Sequence, residues 1–178
     1  AMPDTWIGAG FEAFYVPSAS MEPTLLVNER FFAHGAEDPL RWRRGEVMVF
    51  RAGPDDAVYV KRLIGLPGDT IQLRQGILHI NGAPVARQAL GPWPGGGTRY
   101  RETLPGGAAH DILEASDTGW LDDTAAFQVP AGHLFFMGDN RDNSADSRQP
   151  GGIGFIPQDR VVGRARFIFW GPDRARIG

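Results

Sequence analysis

Two serines near the amino terminus have a spacing that suits nucleophilic chemistry. Ser18 and Ser20 lie in the segment Val16-Pro17-Ser18-Ala19-Ser20-Met21-Glu22-Pro23-Thr24-Leu25. In extended backbone, residues i and i+2 point to the same side of the chain. One hydroxyl could therefore act as a nucleophile while the other donates to a developing oxyanion. Taken alone, the segment is more typical of serines that only stabilise a turn.

A lysine that could act as the matching base follows in Tyr59-Val60-Lys61-Arg62-Leu63-Ile64-Gly65-Leu66-Pro67-Gly68-Asp69. On a strand, Lys61 shares its face with Tyr59 and Leu63, which would partly desolvate its ammonium group. Desolvation disfavours the charged form and lowers the lysine pKa from about 10.4. A neutral lysine can take a proton from a serine hydroxyl. A lysine considered in isolation is more often a solvated surface residue.

The third candidate segment is Met137-Gly138-Asp139-Asn140-Arg141-Asp142-Asn143-Ser144-Ala145-Asp146-Ser147-Arg148. It is dense in turn formers and could be merely a loop held by its own salt bridges. Beside a lysine base, however, the Ser144 hydroxyl is a natural orienting partner. The acidic stretch does not fit a calcium loop, because no frame supplies alternating oxygen ligands, a glycine at position six and a glutamate at position twelve.

Other catalytic classes lack their signatures in this sequence. There is no Gly-x-Ser-x-Gly elbow, no His-Glu-x-x-His and no P-loop, and the four histidines have no ligand spacing. The absence of cysteine excludes thiolate catalysis and thiolate metal sites. A net charge of -3 argues against nucleic acid as a partner.

Strands rather than helices are expected to position these segments. The 24 glycines and 14 prolines favour short strands and elaborate loops, and alternation or β-branched runs appear where helical periodicity does not. Leu66–Asp69 is typical of a turn, and Asn81-Gly82 predicts a type I′ hairpin. The predicted strands are Glu46–Arg51, Ala57–Ile64, Thr70–Arg74, Ile77–Ile80, Ala83–Ala86, His133–Met137 and Val161–Trp170.

The amino-acid composition divides the chain into two parts. Residues 88–126 are rich in glycine and proline and predict loops or a loosely built lobe. The remainder, 1–87 and 127–178, predicts a β-rich core domain. The expected fold class is therefore mostly β, with an insertion near the middle.

Together, and in this order, the three candidate segments resemble the bacterial type I signal peptidase (leader peptidase) family. The resemblance includes Arg44-Gly45-Glu46-Val47-Met48-Val49-Phe50, which is similar to the family's Arg-Gly-Asp-Val box with Glu in place of Asp. It runs from about Phe14 to Trp170, interrupted by the glycine- and proline-rich stretch. It implies an antiparallel β catalytic core with an inserted, less regular second lobe. It also implies a serine–lysine dyad that requires no metal and no cofactor.

The family's roles carry over position by position. The resemblance implies that Ser20 is the nucleophile and Lys61 the general base. It implies that the Ser18 hydroxyl joins the Ser20 N–H in the oxyanion hole, and that Ser144 orients the lysine. Asp146 and Arg148 match a pair that braces the site, with Asp139 and Arg62 in a similar supporting part. The residues implied to line shallow apolar substrate pockets are Phe14, Val16, Met21, Leu25, Tyr59 and Val60.

The resemblance also implies the partners and the location. The substrates would be secreted preproteins with Ala-x-Ala-like cleavage sites, and nucleic acid would have no part. The enzyme would be tethered to the bacterial cytoplasmic (inner) membrane, with its catalytic domain on the outer, periplasmic face. No stretch of this sequence reaches the roughly 18 apolar residues of a spanning helix, so we expect a fragment that lacks its anchor.

The amino-terminal aromatic residues predict contact with a lipid surface. Trp6, Ile7, Phe11 and Phe14 lie nearest the expected anchor, and Trp and Phe favour the boundary between lipid and water. The alternative is that these residues pack into the core beneath the active site.

Two other functions remain open at this point. A self-cleaving repressor of the SOS type shares a serine–lysine dyad and a related β core, but it would need a DNA-binding helical domain and would leave the box Asp139–Arg148 unexplained. A non-enzymatic β-rich binding module would use the same boxes only as structural turns.

Overall fold

The computed structural model describes residues 10–35 and 42–178 of the chain. These residues form a mostly antiparallel β structure, which confirms the expected fold class. Trp6 and Ile7 lie outside the described residues. The strands, in chain order, are β1 Phe11–Tyr15, β2 Arg30–Gly35, β3 Val47–Ala52, β4 Ala57–Gly65, β5 Thr70–Arg74, β6 Ile77–Ile80, β7 Ala83–Pro84, β8 Ala86–Pro92, β9 Thr98–Thr103, β10 Ala109–Glu114, β11 Phe127–Gln128, β12 His133–Met137, β13 Ile156–Pro157 and β14 Val161–Trp170.

The largest sheet in the described part of the chain has seven strands in the order β1-β2-β14-β3-β4-β12-β13. Its central strands are apolar on both faces: Met48, Val49 and Phe50 of β3 are all fully buried. Strands buried on both sides are expected to have continuous apolar runs rather than alternation. This sheet contains the two strands, β1 and β4, that flank the candidate site.

A second sheet, ordered β11-β5-β6-β7, packs beside the first through a core that includes Ile64, Ile71 and Phe135. Its β6–β7 hairpin turns at Asn81-Gly82, where both residues have positive φ (53° and 82°). That backbone is the type I′ conformation, so the predicted hairpin is confirmed. The predicted strand Ala83–Ala86 is shorter than expected. It ends at Pro84, and Ala86 already begins β8.

The glycine- and proline-rich stretch contains a regular three-stranded sheet, β10-β9-β8. The glycine clusters that suggested loops lie in its two turns, at 95–97 and 106–107, where several residues have positive φ. The division into a core of 1–87 and 127–178 and a lobe of 88–126 stays a prediction. The sheet itself begins two residues earlier, at Ala86.

Candidate active site

Ser20 and Lys61 meet in the structure, although 41 positions separate them in the sequence. Ser20 lies in a single 3₁₀ turn, Ala19–Met21, and Lys61 lies in β4. Lys61 Nζ is 2.7 Å from Ser20 Oγ and donates a second hydrogen bond to the Val60 carbonyl at 3.1 Å. Both side chains are buried. A hydroxyl in contact with a buried amine is the arrangement required for serine activation by a lysine base.

Burial lowers the pKa of Lys61 from 10.5 to about 8. Asp146 and Asp139 act in the opposite direction, since their negative charges favour the ammonium form. Desolvation nevertheless dominates, as the strand pattern predicted. At a pKa of about 8, roughly a tenth of the amine is neutral at pH 7, compared with less than about a thousandth for an ordinary lysine.

Ser18 lies directly before the 3₁₀ turn in extended backbone (φ -137°, ψ 163°). Its hydroxyl donates to Ser20 Oγ over 3.2 Å, so the two serines share one side of the segment. Both belong to the wall of the same cleft. The Ser18 hydroxyl is therefore close enough to reach an oxygen that develops charge beside Ser20.

The structure brings Ser144 close to Ser20 but not into a hydrogen bond with Lys61. Its hydroxyl is buried and acts on the Asp146 carboxylate, whose charged form it favours. Gly138 fills the narrow gap between the two serines. A Cβ at Gly138 would collide with the Ser144 side chain and with the Ser20 carbonyl oxygen.

Asp146 and Arg148 form a fully buried bidentate pair, with both Arg–carboxylate distances at 2.9 Å. Asp146 also accepts the Gly138 N–H at 3.0 Å, and Arg148 donates to the Arg141 carbonyl at 2.6 Å. Burial alone would raise the pKa of Asp146, but the Arg148 guanidinium lowers it below the usual value. The pair therefore fixes the loop that carries Ser144.

Asp139 and Arg62 form the second supporting pair. Arg62 Nε and Nη2 lie 2.8 Å and 2.6 Å from the two Asp139 oxygens. The Thr24 hydroxyl also donates to Asp139. Burial would raise the pKa of Asp139, and Arg62 lowers it. These contacts connect β4, the Ser20 segment and the loop after β12.

Sequence reasoning missed Asn140 as a positioning residue. Its backbone N–H donates to the Ser20 carbonyl and its side-chain amide donates to the Ala19 carbonyl, both at 3.1 Å. Asn140 therefore holds the 3₁₀ turn that presents the Ser20 hydroxyl. The only signal was its place inside the segment from Gly138 to Arg148, which does not identify backbone partners.

A cleft of about 580 Å³ opens over Ser20 and Lys61. Five of the six predicted pocket residues line it: Phe14, Val16, Met21, Tyr59 and Val60. The structure does not place Leu25 there, since its side chain lines a separate, smaller cavity with Thr24 and Phe31. Asn143 and Ala145 line the cleft but were not predicted.

The cleft lies beside an open stretch of β4. Residues 57–61 of β4 pair with β3, whereas pairing with β12 begins only at Arg62. Within the described chain, no strand pairs with the other edge of residues 57–61. Such an edge can accept an added strand.

Carboxylates close enough to share a metal ion occur elsewhere. In the described residues they are Glu114, Asp122 and Asp142, and the set includes neither Ser20 nor Lys61.

A mostly antiparallel β fold with a buried contact between Ser20 and Lys61 is compatible with a β-rich hydrolase. A family model described as signal peptidase, peptidase S26, matches residues 5–170. Signal peptidase I of Rickettsia typhi is 36% identical, covering 89% of this chain and 72% of the relative. Signal peptidase I of Pseudomonas aeruginosa is 38% identical, covering 89% and 64%. Signal peptidase I T of Bacillus subtilis is 37% identical, covering 90% and 74%.

The chain therefore belongs to the signal peptidase family, peptidase S26, and it is an enzyme of the type I signal peptidase class. It spans about two thirds to three quarters of the length of these relatives. A crystal structure of a signal peptidase I from Enterococcus faecalis is 27% identical, with a TM-score of 0.44, and covers 70% of this chain and 96% of that one. Within residues 10–35 and 42–178, no helix has the length and apolar character needed to cross a membrane.

Proposed function

We propose that this chain removes amino-terminal signal peptides from secreted preproteins, with Ser20 as nucleophile and Lys61 as general base. The observation that supports this most directly is the 2.7 Å contact between Lys61 Nζ and Ser20 Oγ inside an apolar cleft. The lowered pKa of Lys61 supplies a neutral amine near physiological pH.

The reaction would proceed in two steps. Neutral Lys61 takes the Ser20 proton while Ser20 Oγ attacks the scissile carbonyl, and the protonated lysine then gives that proton to the leaving amine. This leaves the signal peptide as an ester on Ser20. Lys61, again neutral, takes a proton from water, which attacks the ester and regenerates the Ser20 hydroxyl.

The oxyanion formed in each step would be stabilised by the Ser18 hydroxyl and the Ser20 N–H. The Ser18 position supports this role, since its hydroxyl already reaches Ser20 Oγ at 3.2 Å. One such donor is worth roughly 3–4 kcal/mol of transition-state stabilisation.

The substrate would bind as an extended strand along residues 57–61 of β4. The open edge of β4 supports backbone pairing there, and the cleft walls contributed by Phe14, Val16, Met21 and Tyr59 suit small apolar side chains. Backbone bonds would give affinity, and the pockets would select Ala-x-Ala-like segments.

The location would be the outer face of the bacterial cytoplasmic membrane, where preproteins emerge. Exposed Tyr15 and Trp170 support contact with lipid, since aromatic side chains favour the boundary between lipid and water. The membrane surface is thus a second partner in the proposal, beside the preprotein.

The test is cleavage of a purified preprotein followed by intact-mass measurement of both products. We expect one cut, directly after the Ala-x-Ala segment, and no cut when the last alanine is replaced by a bulky residue. Lys61→Arg should give no product, because a guanidinium does not lose its proton near neutral pH. Self-cleavage without preprotein cleavage would overturn the proposal in favour of a self-processing protease.

A further inference from the structure

Three carboxylates from separate parts of the chain converge at one end of the inserted sheet. Glu114 is the last residue of β10, Asp122 follows it after a turn, and Asp142 lies in a 3₁₀ turn, Arg141–Asn143. Their nearest carboxylate oxygens all lie within 4.8 Å of one another. Three negative charges at such distances repel one another unless a cation or protons compensate them.

Glu114 is the member of this cluster that most needs a partner. Its side chain is only 3% exposed, and in the described chain neither of its carboxylate oxygens accepts a hydrogen bond. Asp122 is also fully buried. Its Oδ2 accepts the Gly119 N–H, while its Oδ1 has no partner among the described residues. Buried polar groups without partners are rare in folded proteins and are usually explained by water or an ion.

The neighbouring arginines are already committed to other carboxylates. Arg141 forms a bidentate pair with Glu102, at 3.1 Å and 2.5 Å. Arg148 forms its bidentate pair with Asp146 through Nε and Nη2, and its Nη1 donates no hydrogen bond to the described residues, Glu114 included. Although both guanidinium groups favour the charged form of Glu114, burial and the charges of Asp142 and Asp122 outweigh them and raise its pKa to about 8.

We propose that Glu114, Asp122 and Asp142 bind a hard divalent cation, with Ca²⁺ preferred over Mg²⁺. Carboxylate oxygens are the ligands that both ions prefer. Mg²⁺ usually binds through one or two carboxylates and keeps several of its waters, whereas Ca²⁺ accepts a larger and less regular set of oxygen ligands. Three protein carboxylates that converge from separate segments therefore favour Ca²⁺.

Asp142 connects the cluster to solvent. Asp142 is exposed, and its Oδ2 accepts the N–H groups of Ala115 and Ser116 at 2.6 Å and 3.1 Å, which fixes the carboxylate in place. Gly119 lies against the cluster, since a Cβ there would approach Asp142 Oδ1 and Asp122 Oδ2 at 2.9 Å and 3.1 Å. Water could enter beside Asp142 and supply the remaining ligands.

The ion would have a structural role rather than a part in proteolysis. It would join the end of β10 to the loop 138–148, which carries Ser144 and Asn140. That junction already contains a backbone bridge between Leu113 and Asn140. The cation would add a charged connection between the insert and the loop that supports the Ser20 turn.

Thermal unfolding with added CaCl2, together with isothermal titration calorimetry on the same full chain, tests this directly. After EDTA treatment, we expect one Ca²⁺ per chain and a Tm increase of about 5–10 °C at a calcium concentration 100-fold above Kd. MgCl2 at the same concentration should give a clearly smaller increase. A response to Mg²⁺ equal to that for Ca²⁺ would overturn the proposed preference.

The informative variant is Glu114→Gln, because the amide keeps the shape of the side chain but removes its charge. Without calcium it should be at least as stable as the parent, since the uncompensated carboxyl is gone. With calcium it should lose both the titration signal and the Tm increase. Asp55→Asn, an exposed carboxylate outside the cluster, should respond like the parent.

Two outcomes would overturn the site. The first is the absence of both a binding signal and a Tm change in the parent chain, which would leave protonation or a bound water to satisfy Glu114. The second is an unchanged calcium response in Glu114→Gln, which would place the ion elsewhere. Neither measurement depends on peptidase activity, so failure here is distinguishable from failure of the proposed function.

Discussion

The protonation state of Lys61 depends on how strongly two nearby carboxylates are paired with arginine. Asp146 and Asp139 both favour the ammonium form of Lys61, yet each is paired bidentately with its own arginine. Their net effect on the lysine is therefore reduced, and desolvation decides its pKa. Removing either arginine would leave a buried carboxylate unpaired and favour the charged, unreactive lysine.

The first prediction is a pH dependence that follows Lys61. With the amine as base, kcat/KM should rise about tenfold per pH unit up to about pH 8 and level off above it, because only the neutral amine accepts a proton. Initial rates of preprotein cleavage from about pH 6 to pH 10 measure this. A profile that levels off near pH 6 would show that a different group acts as the base.

The second prediction concerns Ser18. If the Ser18 hydroxyl is the proposed oxyanion donor, Ser18→Ala should lower kcat by about 10²–10³-fold with little change in KM. Ser18→Thr keeps the hydroxyl and should retain most of the rate. Single-turnover cleavage separates the chemical step from binding. Equal losses in both variants would point to packing rather than to the hydroxyl.

Individual residues were predictable from sequence to different degrees. Ser20 and Lys61 stand in segments whose residue types suggest their chemistry, and their contact was expected. Asn140 and Leu25 could not be assigned in the same way. Hydrogen bonds to backbone carbonyls and the direction of a buried leucine depend on how distant segments pack, and neither leaves a local pattern.

At the scale of elements, the loop 138–148 connects the serine turn to the inserted sheet. Its start is held against Ser20 through Gly138 and Asn140, and its Arg141 is buried against Glu102 of β9. The insert is therefore attached to the active-site loop by a charged contact as well as by backbone bridging. Changes in the insert should reach the site through this connection.

The third prediction tests the close approach at Gly138. Gly138→Ala should lower both Tm and kcat, because the added Cβ would push Ser144 and the Ser20 turn apart. Gly35→Ala is the matched control, since the nearest atom to its added Cβ is a carbonyl oxygen at 3.9 Å. Thermal melts and cleavage rates of both variants provide the comparison. If Gly138→Ala behaves like Gly35→Ala, the gap between the serines is not constrained as described.

The fourth prediction concerns the buried Glu102–Arg141 pair. Glu102→Gln leaves the Arg141 guanidinium buried without a counter-charge and should cost about 3–5 kcal/mol of unfolding free energy. Asp56→Asn, at exposed pairs with Arg51 and Arg160, should cost less than about 1 kcal/mol. Urea unfolding of both variants near neutral pH gives the two values.

The change in unfolding free energy at acid pH is an independent test of the Glu102–Arg141 pair. Although burial opposes ionisation, the charge of Arg141 and bonds from His110 and Arg141 lower the pKa of Glu102 from 4.5 to about 2. The stabilisation is therefore complete above about pH 4.5 and is lost as the pH falls toward 2. Over that window the parent should lose more unfolding free energy than Glu102→Gln. If unfolding free energy fell equally with pH in the parent and in Glu102→Gln, Glu102 would not be charged in the folded protein.

Several strands were predictable from the sequence, whereas two that lie beside the site were not. The strands at Thr70–Arg74, Ile77–Ile80, His133–Met137 and Val161–Trp170 agree with the structure. Strands β1 and β2 were not predicted, although β2 is an inner strand of the large sheet. β1 is short, and the β2 sequence Arg-Phe-Phe-Ala-His-Gly does not alternate between apolar and polar residues. Their pairing with each other and with β14 stabilises them.

At the scale of the whole molecule, one exposed row of side chains ends beside the cleft. Tyr15 pairs with Arg30, and Arg30 pairs with Trp170, so the three residues form a row across β1, β2 and β14. Tyr15 and Trp170 are 51% and 50% exposed, and the Arg30 guanidinium lies over the Trp170 ring. Tyr15 also lines the cleft. By contrast, Phe14 packs against Phe31 of the buried core, which matches the core-packing alternative for this residue. Phe11 packs against Phe32 and Phe167 instead.

The last prediction is that this row binds lipid surfaces. Aromatic rings flanking an arginine suit the boundary between lipid and water, and a net charge of -3 makes the attraction mainly apolar, with weak dependence on salt. In co-sedimentation with vesicles, Tyr15→Ser plus Trp170→Ser should bind several-fold more weakly than the parent at both low and high salt. Trp120→Ser is the matched control, because Trp120 is more exposed (68%) but lies outside the row. Equal losses in the two variants would mean that exposed tryptophan in general, and not this row, determines binding. An absence of binding by the parent would exclude the described surface as a lipid contact.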